Sequence, residues 1–138
     1  MKNTYSTNLN LAQIDLGLLF LRLGAGGFML THGTPKLITL FESEEITFAD
    51  PFGLGMGITL ALTVFAEFIC SILIILGLGT RLAAIPVMIT MFMAAFVIHA
   101  QDPFQRKEMA LLYLVIFTVL LITGAGKHSL DYLWLKKK

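Results

Sequence analysis

Apolar residues in this chain come in long continuous runs, not in the strict alternation of a half-buried strand or the single stripe of a water-facing helix. Charge-poor runs cover residues 14–31, 52–79, 82–98 and 109–124; Arg22 stands inside the first, Glu67 inside the second, and the last two carry no charge. Each run is close to the ~20 residues that cross a hydrocarbon core about 30 Å thick. Backbone amides must be paired within lipid, so such runs are helices unless they close into a barrel, and a barrel would alternate apolar and polar positions. The pattern predicts an all-α membrane protein: a four-transmembrane-helix antiparallel bundle, with helices over approximately 14–35, 55–79, 82–100 and 108–125 in a single domain, 1–138. The first run has no small-residue cleavage pattern and holds Arg22 in its middle, so it reads as a retained helix and not a signal peptide. Connections at 33–51, at Gly79-Thr80-Arg81 and at 100–108 are short enough to favour antiparallel neighbours.

Composition agrees with the pattern. The chain is 57% hydrophobic and only 14% charged, with a mean hydropathy of +0.81. A soluble domain has about 45–50% apolar and about 25% charged residues, so this chain has too few charges to cover a water-facing surface. A net charge of +1 offers no electrostatic footprint for nucleic acid. Cys70 is the only cysteine, which excludes an intramolecular disulfide, a CxxC redox centre and a cysteine zinc site.

Basic residues set the orientation. Lys2, Arg81, Lys127, Lys136, Lys137 and Lys138 fall on one side, and Lys36, Arg106 and Lys107 fall on the other with Glu42, Glu44, Glu45 and Asp50. Both termini are expected in the cytoplasm, with the 33–51 loop outside and the basic tail, with Tyr132 and Trp134, as an interfacial anchor.

Ionisable residues within spans are costly and face the interior or a cavity. Counting ~1.5 Å per residue, Arg22 and Glu67 reach one depth, which predicts an ion pair between the first two helices. Two readings of that pair stand: a static contact that fixes packing, or part of a ligand or proton site. Helical spacing places Arg22, Ala25, Met29, His32 and Lys36 on one stripe, and Thr63, Glu67, Cys70 and Ser71 on another. Gly24, Gly26 and Gly27 would let backbones approach closely. At the outer ends gather His32, Lys36, His99, Asp102, Arg106, Lys107 and Glu108, with Phe28, Met29, Phe92 and Phe96 as candidate apolar walls. His32 and His99 share a depth, but without a CxxCH motif no haem is expected. Met88, Met91 and Met93 occupy different faces and read as packing residues rather than copper ligands. No metal set is evident. The endings Gly77-Leu78-Gly79-Thr80-Arg81 and Gly124-Ala125-Gly126-Lys127-His128 are either ordinary capping or the trace of a duplicated helix pair.

The ordered landmarks carry a resemblance. Leu21-Arg22-Leu23-Gly24, His32-Gly33-Thr34-Pro35-Lys36, Ala66-Glu67, Gly77-Leu78-Gly79-Thr80-Arg81-Leu82-Ala83-Ala84, His99 and Gly126-Lys127-His128-Ser129-Leu130-Asp131 together resemble the DoxX family of small four-helix integral membrane proteins, over roughly residues 14–131. The resemblance implies a multi-pass protein of the bacterial cytoplasmic (inner) membrane, an accessory of a membrane oxidoreductase system rather than an enzyme acting alone. It carries Arg22, His32, Lys36, Glu67, Arg81 and His99 over as the landmarks of a ligand-binding or polar cavity. The partners implied are the bilayer, a membrane or peripheral oxidoreductase and a second copy of the chain, and a quinone is the cofactor class considered. A non-enzymatic assembly role and transport of a small solute or proton are the competing readings.

Overall fold

The computed structural model describes residues 10–136. Lys2, Lys137 and Lys138, counted in the orientation argument, lie outside them. Four long helices and one short one account for the fold: α1 (Leu11–Glu42), α2 (Met56–Leu76), α3 (Thr80–Ile98), α4 (Phe104–Thr123) and α5 (Leu130–Lys136). The described residues contain no strand. Three of the helices, α1, α2 and α3, are long and apolar enough to cross a membrane. Helix α4 carries Arg106 and Lys107 in its first turn and Glu108 just after it, so its uncharged stretch covers only 109–123.

Helix α1 is longer than its sequence pattern predicts. Its 32 residues extend about 48 Å, capped at the start by the Asn10 side chain, which accepts from Ala12 N. The helix runs through Pro35 to Glu42, so the expected 33–51 loop is reduced to 43–55 and Lys36 is a helical residue. Asp50 organises what remains of that loop. Its carboxylate accepts from Leu54 N and Gly55 N, just before α2, and from Thr59 Oγ1 in the first turn of α2, capping the entry to that helix. The Thr59 hydroxyl, then the Gly55 amide, hold the Asp50 carboxyl below the usual carboxylate range.

Contacts between specific residues give the packing order and sense. Gly26 meets Ser71 and Ile75, and Gly33 meets Glu67 and Phe68, so α1 and α2 are antiparallel. Arg81 donates to Ile122 O and His99 bonds Asp102, which does the same for α3 and α4. His32 packs edge-on to Tyr113, and Lys127 N reaches Asp15, closing α4 against α1. Buried side chains of all four long helices form one core, with Met29, Ile74, Val87 and Phe117 fully enclosed.

The end of the molecule that holds the first half of α1 and α5 is locked by polar contacts to backbone. Arg22 is fully buried; its guanidinium donates to Ile74 O and Ile75 O at 3.1 and 3.2 Å, and to His128 O. The last carbonyls of a helix have no intrahelical partner and sit at the negative end of its dipole, so they solvate this cation inside the protein. Gly77 closes α2 in the left-handed region at φ +68°, directly beneath the Arg22 guanidinium, where a Cβ would collide with it. Asp131 then accepts from Gly79 N and Thr80 N, capping α3. At the end of α4, Gly124 also has a positive φ, +80°, with an extended ψ, and lies beside the Arg81 guanidinium. Each glycine-cation ending thus packs against an arginine of a neighbouring helix, Arg22 at Gly77 and Arg81 at Gly124.

Candidate functional site

Glu67 is buried, 2% exposed, and sits within a π-helical turn, Phe65–Ile69, in the middle of α2. Such turns are rare and concentrate at functional sites. Lys36 Nζ lies 2.6 Å from Glu67 Oε1 and contacts Oε2 as well. Gly33 makes this contact reachable: a Cβ there would lie 2.7 Å from Glu67 C and 2.8 Å from Glu67 O. The two backbones therefore touch one turn before Lys36, and the lysine stem bends onto the carboxylate.

Two chambers meet at the pair. One, of about 340 Å³, lies between α2 and α3 beneath the 43–55 loop, walled by Phe48, Phe52, Leu54, Leu62, Ile89 and Met93, with Lys36, Glu67 and His99 among its polar lining. The other, of about 180 Å³, lies between α1, α3 and α4 and is lined by His32, Lys36, Glu67, His99, Arg106 and Tyr113 with Met29 and Met91. A second π-helical turn, Ala94–Ile98, ends α3 immediately before His99. His99 Nδ1 is 2.7 Å from Asp102 Oδ2, and Arg106 approaches the same oxygen at 3.4 Å. The His99 hydrogen bond is the main reason the Asp102 carboxyl is held below the usual carboxylate range, with Arg106 adding to it. Lys107 is engaged with Ala100 O.

Of the residues singled out from the sequence, His32, Lys36, Glu67 and His99 come together, and Arg22 and Arg81 do not join them. The expected Arg22–Glu67 pair is not formed. Gly26 and Gly33 fix the register so that Glu67 stands opposite Gly33, eleven positions along α1 from Arg22 and about 16 Å up the axis. Arg22 is left opposite the end of α2, and Lys36 supplies the counter-charge. The aromatic wall also differs. Phe92 and Phe96 pack on each other with centroids 4.8 Å apart and face outward, and Phe28 is 67% exposed; only Met29 of the expected four lines a chamber with the pair. Phe48, Phe52 and Tyr113 take that role. The sequence signal for Tyr113 was its polar hydroxyl within an uncharged run, a signal it shares with Thr118 and Thr123. Among the described residues, no three His, Cys, Asp or Glu side chains come together as a metal site, and Cys70 is buried in the core.

Comparison with known proteins bears on the whole arrangement. A protein of Haemophilus influenzae described as uncharacterized is 32% identical over 130 residues, covering 87% of this chain and 92% of that protein. No solved structure matches. The family model named DoxX matches residues 17–100, a stretch that contains Arg22, His32, Lys36, Glu67, Arg81 and His99 and the whole Lys36–Glu67 contact. The chain belongs to the DoxX family.

Proposed function

We propose that this protein crosses the bacterial cytoplasmic membrane with four helices, both termini inside, and binds a quinone-like apolar molecule as an accessory subunit of a membrane oxidoreductase. The observation that carries this reading is the apolar chamber with the Lys36–Glu67 pair and His99 in its lining. Small-molecule sites are typically apolar pockets of ~300–1,000 Å³ with a few convergent polar groups. An ammonium has three donors and Glu67 uses two, so Lys36 keeps one for a ligand carbonyl oxygen. For α4, the uncharged 109–123 stretch gives about 22 Å, and Arg106 and Lys107 can extend to the headgroups by snorkelling.

The test is titration of a short-chain quinone into the purified protein in nanodiscs, followed calorimetrically. Saturable binding is expected, weakened about tenfold or more by Lys36→Met, since a charge-assisted hydrogen bond contributes about 1.5–3 kcal/mol. Absence of saturable binding, or binding indifferent to Lys36, would overturn the ligand assignment. For the accessory role, membranes from a deletion strain should show slower quinone-linked electron transfer; an unchanged rate removes it. The Arg22–Gly77–Asp131 end favours a purely structural role for that half of the protein.

A further inference from the structure

The chambers hold acid–base chemistry that ligand binding alone does not require. Asp102 takes the Nδ1 side of the His99 ring but lines neither chamber, whereas His99 lines both. With Nδ1 taken by Asp102, Nε2 is the ring nitrogen that His99 has left to offer the chambers. Among the described residues Nε2 has no hydrogen-bond partner. A carboxylate on Nδ1–H fixes the tautomer with Nε2 free to accept a proton, and stabilises the imidazolium that results. Lys36 stands across the same chambers as a fixed positive charge.

Resting on the reading that these chambers bind an apolar ring compound, we propose that the site takes the hydroxylated form of such a ligand, a phenol or hydroquinone, and that His99 accepts its proton. The ligand O–H bond breaks, its electron pair stays on the oxygen as a phenolate beside the Lys36 ammonium, and the proton forms the Nε2–H bond of His99. No electron leaves the ligand in this step. The other ionisable groups facing the site are His32 on α1, Glu67 on α2, and Arg106 and Tyr113 on α4. Glu67 is already engaged by Lys36, which leaves His99 as the acceptor backed by a carboxylate and reaching toward the aqueous loop.

The probe is an alkyl-substituted nitrophenol, whose phenolate absorbs at longer wavelength than the phenol, with its methyl ether as the non-ionisable partner; both are titrated into the intact protein in nanodiscs. At a pH below the free phenol's midpoint, the phenolate-to-phenol ratio of the bound probe should exceed that of free probe by about tenfold or more, one unit of midpoint shift. His99→Gln and Asp102→Asn should each reduce that excess, and the Asp102→Asn protein, altered at a residue that lines neither chamber, should still bind the ether, which shows that the chambers remain formed. Should His99→Gln lose the ether, the Asp102→Asn protein decides. A bound phenol ionised no more than the free one overturns the proton transfer and leaves the binding reading standing. Ionisation that survives both substitutions assigns the effect to Lys36 alone and also overturns it. If neither probe binds, the ligand reading and this inference fall together.

Discussion

Gly33→Ala is the substitution that the packing of α1 on α2 opposes most sharply. A Cβ at this position would lie 2.7, 2.8 and 2.9 Å from Glu67 C, Glu67 O and Phe68 N, all backbone atoms that no rotamer change can move. Ordinary contact begins near 3.4 Å, so the helices must part by about 0.5–1 Å, and overpacking of this kind costs about 1–3 kcal/mol. Alanine also gains up to about 1 kcal/mol in helix propensity, which would mask part of the loss. Gly27→Ala corrects for this gain, because nothing lies within 4 Å of a Cβ there. In equilibrium unfolding in mixed micelles, the alanine at 33 should be less stable than the alanine at 27 by about 1–3 kcal/mol. It should also weaken ligand binding, because the Lys36–Glu67 contact lies one turn along the same interface. Equal stability of the two variants would refute the claim that Gly33 is the contact point setting the register.

Other substitutions probe separate parts of the account. Lys36→Met and Glu67→Gln should each destabilise the protein by about 2–3 kcal/mol, below the ~3–5 kcal/mol of a fully buried pair because the Lys36 side chain is 30% exposed; the double variant should recover part of the loss, whereas Arg22→Gln with Glu67→Gln should be additive in the same unfolding assay. Asp50 has a depressed folded-state ionisation, so its capping contribution is fully present above pH ~4 and is lost as pH falls through the folded value; Asp50→Asn should flatten the acid limb of the stability-pH curve, and an unchanged limb would contradict the cap. For orientation, a cysteine at Ser43 should be labelled in intact cells and one at His128 only after permeabilisation. Ser129 is buried and would resist labelling from either side, so His128 is the informative position.

Much of the helical layout was legible because lipid imposes a simple rule, that backbone amides pair internally and long charge-poor runs become helices. Most of the inward stripe of α1 was legible for the same reason: Arg22, Ala25 and Met29 are buried and Lys36 lies on the same face against α2, whereas His32, placed on that stripe too, is exposed and packs edge-on to Tyr113. The register between α1 and α2 was not. Counting depth from estimated helix ends brought Arg22 to Glu67, but register is set by where glycines allow backbones to touch, and Gly26 and Gly33 are indistinguishable by sequence from Gly24 and Gly27, which meet nothing within 4 Å. The length of α1 was hidden by Pro35, which reads as a helix stop in water. Here the helix continues past it to Glu42, with Thr39 Oγ1 bonded back to Pro35 O. Long-range contributions from the 43–55 loop, Phe48 and Phe52 above all, depend on how that loop folds back under the Asp50 cap, and no local pattern encodes it.

The central claim is that a ligand occupies the chambers around Lys36, Glu67 and His99, and photo-crosslinking with an apolar quinone analogue, followed by peptide mapping, tests it most directly. Labels should fall on residues 48–54 and 89–99, compete with unlabelled quinone, and diminish in the Lys36→Met protein. Labels confined to the Arg22–Gly77–Arg81 end, or spread along the outward faces without competition, would contradict the account.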